Sequence, residues 1–328
     1  MGTICRKLSI FGLSLALLIG SHFYRPLERL VTGTDAFQGI ALRYSITHDV
    51  ETSIEIPEEI TQRPILLIHG FAASRAFWGN PMNAYSPYSI ASSHYDGNVM
   101  IASYPSTASI DDIAERLNDI IRENVDERID VLGYSLGGLV ARRMVREDPE
   151  LFESVGLVAT PHKGFEIAPI TPIARFLAPR YMSSALEDYE LEYTPSELEG
   201  MREPMKGSSF LQELNTSKSL SHQPVYNHFV FSHSSGRRYI RGDDDLLLST
   251  SNTDPRRLIS EGNIEDVIHG SISYFIGDVN HFSSFHHPHI AENVISKIKY
   301  GTDRSMARYG VESVHENEIE FRRRLRIF

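Results

Sequence analysis

Gly133-Tyr134-Ser135-Leu136-Gly137-Gly138 decides the reading of this chain. The apolar run Ile129-Asp130-Val131-Leu132 precedes it and the helical pattern Leu139-Val140-Ala141-Arg142-Arg143-Met144-Val145 follows, so a strand, a tight turn and a helix meet at one serine. In such a turn the serine backbone is strained, and side chains two residues to either side would collide with neighbouring backbone. Glycine at 133 and 137 removes the collision and leaves the Ser135 hydroxyl at the mouth of the helix, as a nucleophile requires. A bare G-x-S-x-G arises by chance; the strand before it and the helix after it lift this one above chance.

Outward from the serine, the pattern alternates. Pro64-Ile65-Leu66-Leu67-Ile68 has the continuous apolar character of a buried parallel strand, and it ends in His69-Gly70-Phe71, a predicted loop beside Ser135. Val99-Met100-Ile101-Ala102-Ser103-Tyr104 reads as another strand, and apolar residues at 110, 113, 117, 120 and 121 predict a helix over 110–124. Residues 225–232 continue the sheet and 290–298 make a helix. This alternation predicts an α/β fold with a mostly parallel central sheet and helices on both faces. The interval 164–221 breaks it. Ile167, Ile170, Ile173, Phe176, Leu177, Tyr181 and Met182 are unusually apolar for a connection, and Glu187, Asp188, Glu190, Glu192, Glu197 and Glu199 follow. An inserted cap or lid that binds an acyl chain is one reading; an inserted helix with a solvated acidic face is the other.

Downstream lie Gly242-Asp243-Asp244-Asp245-Leu246-Leu247-Leu248-Ser249 and then Val279-Asn280-His281-Phe282-Ser283-Ser284-Phe285-His286-His287-Pro288. The order serine, acid, histidine is that of the alpha/beta-hydrolases. Together with the strand Val155-Gly156-Leu157-Val158-Ala159-Thr160 leading into Pro161-His162-Lys163-Gly164, and with Gly207-Ser208-Ser209-Phe210-Leu211-Gln212-Glu213-Leu214-Asn215, these motifs resemble the lipase branch of that superfamily. They are most similar to bacterial-type triacylglycerol lipases and GPI inositol-deacylase-like hydrolases, over roughly residues 60 to 300.

The resemblance implies a role for each matching residue. Ser135 attacks an acyl carbonyl, His281 takes its proton and returns it to the leaving alcohol, and a carboxylate orients the imidazole. The family's acid turn fits with Asp245 in the acid position; a second alignment puts Asp244 there, and Asp243 is the third choice. The backbone N–H groups of Phe71 and Leu136 are the two the family pattern nominates for the oxyanion. His281 is preferred as base because it follows the run 272–279, with a histidine among residues 286–289 as the alternative. His69 and His162 read as loop-shaping residues, and the cluster His286, His287 and His289 reads as the start of a helix rather than a metal site.

The implied activity is cleavage of carboxylic esters, of lipids or other hydrophobic substrates, with no cofactor and no metal. Acyl transfer, thioester or amide hydrolysis on the same residues, or a non-catalytic binding protein on the same fold, are the alternatives. The chain has 328 residues, 41% of them hydrophobic, enough to bury one large α/β core. Its single cysteine, Cys5, rules out an internal disulfide, and a net charge of −11 with no strongly basic stripe in the middle of the chain argues against nucleic acid as partner. Residues 1–24 read as a signal peptide or an uncleaved signal anchor that would associate the protein with a membrane: Arg6 and Lys7 precede the apolar run 8–20, and no further charge appears before Arg25. Residues 25–60 form a lead-in, 61–300 the catalytic domain with its insertion at about 164–221, and 301–328 a polar, partly basic tail.

Overall fold

The computed structural model describes residues 51–71, 73, 75–79, 83–105, 108–164, 203–216, 219–233, 253–255, 270–277, 285 and 287–301. Residues 1–24, the tail beyond 301 and most of the 164–221 interval therefore lie outside the described residues. None of the described helices is long and apolar enough to cross a membrane.

Seven described strands form one sheet. In chain order they are β1 (Ser53–Glu55), β2 (Ile65–Ile68), β3 (Val99–Ser103), β4 (Ile129–Tyr134), β5 (Phe152–Val158), β6 (Val225–His233) and β7 (Gly270–Gly277). Their spatial order is β1-β3-β2-β4-β5-β6-β7. Only β1 is antiparallel; the other six run parallel. The described α-helices are α1 (Pro87–His94), α2 (Ile110–Asn124), α3 (Leu136–Glu147), α4 (Ser209–Leu214) and α5 (Pro288–Tyr300).

Strands covered on both faces must be apolar on both, and β2 is fully buried along its length. Its alternate residues enter two cores. Leu66 and Ile68 meet Ile113, Leu117 and Ile121 of α2 and Val140 and Met144 of α3 on one side. Ile65 and Leu67 lie with Ile90 of α1 and Val294, Ile295 and Ile298 of α5 on the other. The predicted helix over 110–124 matches α2 residue for residue, because its apolar face repeats with helical period and Ser109 caps it by accepting from the N–H groups of Asp111 and Asp112.

Other boundaries differ from expectation. The strand read at 155–160 ends at Val158. The Ala159 N–H still makes the last bond of the β5–β6 ladder, to the Phe229 carbonyl at 2.9 Å, but its φ of 48° leaves the extended region, and Pro161 supplies no N–H for a further bond. The three-residue β1 and the serine-rich α1 were not anticipated, being too short or too polar for a periodic signal. Within the expected insertion, residues 203–216 pack back onto the helices beside the sheet. The Glu203 carboxylate accepts from Ser109 Oγ and the Ile110 N–H at the start of α2, Arg143 pairs with Glu213 at 2.8 Å, and Arg146 donates to the Thr216 carbonyl at 2.7 Å.

One central residue breaks the apolar rule. Asp130 in β4 is fully buried, accepts from Tyr95 Oη at 2.8 Å and pairs with Arg63 at 3.2 Å, with Glu153 and Lys299 the other charges nearby. Burial outweighs the Arg63 attraction and the Tyr95 hydrogen bond and raises its carboxyl to about 7. Because the folded state holds this proton more tightly than the unfolded chain, Asp130 contributes most stability below pH 4 and loses it as pH rises toward 7. The full shift corresponds to on the order of 4 kcal/mol. Asp130→Asn, which keeps an acceptor for Tyr95, should flatten this slope: its thermal midpoint should fall less than that of the wild type between pH 5 and pH 8. Equal falls would refute the assignment.

Candidate active site

Strand β4 lies at the centre of the sheet between β2 and β5, and at its C-terminal end the chain turns directly into α3 through Ser135. Ser135 sits at φ 53°, ψ −119°, a conformation that costs a side-chain-bearing residue about 1–3 kcal/mol. The surroundings enforce it. Its N–H donates to the Val158 carbonyl at 2.8 Å, and its own carbonyl accepts from the Gly138 N–H at 3.0 Å.

The two flanking glycines are required by close approach. A Cβ on Gly133 would lie 2.6 Å from the Gly138 Cα, and one on Gly137 would run into the carbonyl oxygens of Ile68 and His69. Helix α3 thus packs its first turn hard against the end of β2. The first N–H groups of a helix have no acceptor inside it, and the positive end of the helix dipole lies there, so the Leu136 N–H belongs to an electropositive rim beside Ser135.

The loop after β2 closes the other side. A Cβ on Gly70 would lie 3.1 Å from the Ser135 Cβ, which brings Gly70-Phe71 against the serine. His69 is buried and stacks flat on Tyr104, with ring centroids 4.1 Å apart and planes 7° apart. Burial lowers its imidazole to about 4, against the opposing hydrogen bond to Gly70, so the ring is neutral near pH 7. Since a carbonyl only accepts, Nδ1 carries the proton and donates to Gly70 O at 2.9 Å. His69 therefore packs and hydrogen-bonds within its loop, as its position led us to expect.

An aromatic group lies beside the serine. Tyr134 packs on Phe77 at 4.6 Å and on Phe285 at 5.7 Å, and Phe285 meets Trp78 edge-on at 5.8 Å. Phe285 is fully buried, so the segment between β7 and α5 returns to the residue immediately before Ser135.

Further along α3, Arg142 is buried and donates to His162 Nδ1 at 3.3 Å and to the Leu214 carbonyl at 3.1 Å. Burial lowers the His162 imidazole well below its usual range, and the charges of Arg142 and His228 add to this. With Nδ1 accepting from arginine, the His162 proton sits on Nε2 and donates to His228 Nδ1 at 3.3 Å. Asn215 Nδ2 donates to the His162 carbonyl at 2.9 Å. This cluster joins α3, the loop after β5, the end of α4 and β6, so His162 shapes its loop. His228 carried a sequence signal, a polar residue inside an apolar strand; Arg142 and Tyr104 carried none.

Of the site residues read from sequence, the structure brings Ser135, Leu136 and the Phe71 loop together. Asp243, Asp244, Asp245 and His281 lie outside the described residues. So does His286, while His287 and His289 are exposed at the start of α5 with rings 5.3 Å apart. Among the described residues no group of three or more His, Cys, Asp or Glu is placed to hold a metal ion.

The alpha/beta hydrolase family model matches residues 65–289. Triacylglycerol lipases of Pseudarthrobacter phenanthrenivorans and Burkholderia plantarii are each 27% identical to the chain over 115 residues, 33% of this chain. That stretch spans 36% and 32% of their own lengths, about a third of each. Among solved structures, a mature Bacillus licheniformis lipase aligns with TM-score 0.46 at 14% identity, covering 72% of this chain and 93% of its own. A hydrolase of Oleispira antarctica aligns with TM-score 0.48 at 12% identity, covering 80% and 97%. The match over more than half of the chain, on a mostly parallel sheet that turns into a helix through a strained serine, places this protein in the alpha/beta hydrolase family.

Proposed function

We propose that the protein is a serine hydrolase of carboxylic esters, acting on lipids or other hydrophobic esters through an acyl-enzyme on Ser135. The observation that carries this reading is the strained backbone of Ser135 at the end of the central strand and the start of α3. Strain of this kind is expected where a side chain must be held at a reacting centre. The likeness to the triacylglycerol lipases aligned above supports this substrate class.

In the proposed reaction, Ser135 Oγ attacks the ester carbonyl carbon while its proton passes to His281. The carbonyl oxygen becomes an oxyanion and is met by the N–H groups of Leu136 and Phe71, each such donor contributing about 10²–10³ in rate. Collapse breaks the bond to the alcohol, which leaves with the proton from His281. Water then attacks the acyl-enzyme, gives its proton to His281, and releases the carboxylic acid as Ser135 is reprotonated. Asp245 holds the imidazole of His281 in the required tautomer.

The chain path supports His281. Strand β7 ends at Gly277 with its C-terminal end on the same edge of the sheet as Ser135, and Phe285 is packed on Tyr134. His281 lies midway between these two fixed points, four residues from each, a reach of at most about 14 Å of chain either way.

A series of simple esters from short soluble to long emulsified acyl groups tests the substrate class. Ser135-dependent turnover should rise with chain length. Turnover confined to short chains would contradict a lipid substrate and leave a general esterase.

A further inference from the structure

We infer that Tyr104 is a positioning residue for the oxyanion site, acting as a buried brace that aims the Phe71 N–H; this rests on the serine hydrolase reading above. The Gly70 carbonyl and the Phe71 N–H belong to one peptide unit. In a trans peptide the two point in opposite directions, and no cis bond occurs among the described residues. Whatever holds the Gly70 oxygen therefore sets the direction of the Phe71 donor.

That oxygen is held twice, by His69 Nδ1 at 2.9 Å and by the Ala73 N–H at 3.3 Å. Tyr104 secures the imidazole by stacking on it, with planes 7° apart. It also acts on the preceding peptide unit, because its hydroxyl donates to the His69 carbonyl. One side chain thus fixes both peptide units leading into Phe71. Tyr104 is itself fully buried at the end of β3, and burial raises its phenol further above the usual range, so it remains a donor at any working pH.

The loop needs such a brace. Gly70 must lack a side chain because a Cβ would lie 3.1 Å from that of Ser135 and 3.2 Å from the Tyr134 carbonyl oxygen. Glycine leaves the adjoining bonds free to rotate, and an oxyanion donor is effective only if it is already aimed. The tyrosine supplies from outside the loop the rigidity that glycine removes from within it.

The test compares full-length wild type, Tyr104→Phe, His69→Ala, His69→Asn and Ser135→Ala on a soluble short-chain nitrophenyl ester, reading kcat, KM and thermal midpoint. Tyr104→Phe keeps the stacked ring and loses only the bond to the His69 carbonyl. Its kcat should fall about tenfold, less than for outright loss of an oxyanion donor, with KM within about twofold of wild type. His69→Ala should fall at least as far. His69→Asn, which offers an amide N–H where Nδ1 stood, should regain most of that loss. A folded Tyr104→Phe protein with wild-type kcat, or with its loss in KM alone, overturns the proposal. If Tyr104→Phe does not fold, the His69 pair decides, and an asparagine variant no better than alanine overturns it. Ser135→Ala separates the two claims. Turnover that persists in it, or is absent from wild type, overturns the serine hydrolase reading and the brace with it. Serine-dependent turnover with an unaffected Tyr104→Phe overturns the brace alone.

Discussion

Ser135→Ala should lower ester turnover by about 10⁴ to 10⁶ while leaving the fold intact. The expected loss is large because in the proposed reaction the hydroxyl itself forms and breaks the covalent bond to the acyl group. Whatever rate remains would come from the amides of Leu136 and Phe71 acting on a directly attacking water. The fold should survive because alanine, like serine, carries a Cβ at φ 53°, so the strain is neither relieved nor increased. Ser135 is almost fully buried, yet only one oxygen is removed. Turnover and thermal unfolding measured on the same preparations separate the two effects. A variant that keeps more than a few per cent of wild-type turnover would remove Ser135 from the chemistry.

The second large effect concerns the base and its partner. His281→Ala should abolish turnover nearly as completely, and Asp245→Asn should cost about 10⁴ in kcat, because an amide in place of the carboxylate stabilises the wrong tautomer of the imidazole. Asp244→Asn should cost far less. In the proposed reaction Asp245 alone of the three adjacent acids orients the imidazole. The ranking of the two variants is decisive: a greater loss in Asp244→Asn would move the acid by one residue and leave the rest of the mechanism in place.

Much of this arrangement was legible from residue order because the signals were strong and local. A continuous apolar run, two glycines around a serine and a helical apolar period placed β2, β4, α2 and α3 and set Ser135 between them. Those features depend on backbone sterics within a few residues. The brace at Tyr104 and the chain Arg142-His162-His228 were not legible, since each joins residues separated by tens of positions and neither leaves a periodic trace. Tyr104 reads as the last residue of a strand, and only the packing of β3 beside β2 places its ring on His69. Asp130 shows the opposite failure. It interrupts an apolar strand in plain sight, but its carboxyl is accommodated by Tyr95 and Arg63, from two other segments. The strand boundary at Val158 was missed because the positive φ of Ala159, 48°, leaves no mark in an apolar run.

The central claim is that Ser135 is a nucleophile, and labelling with a fluorophosphonate followed by peptide mass analysis tests it most directly. The reagent transfers its phosphonyl group to an activated serine and loses fluoride. The mass of the adduct should appear on the peptide carrying Gly133-Tyr134-Ser135-Leu136-Gly137-Gly138 in the wild type and be absent from Ser135→Ala. An adduct on another serine, or equal labelling of the two proteins, would contradict the account.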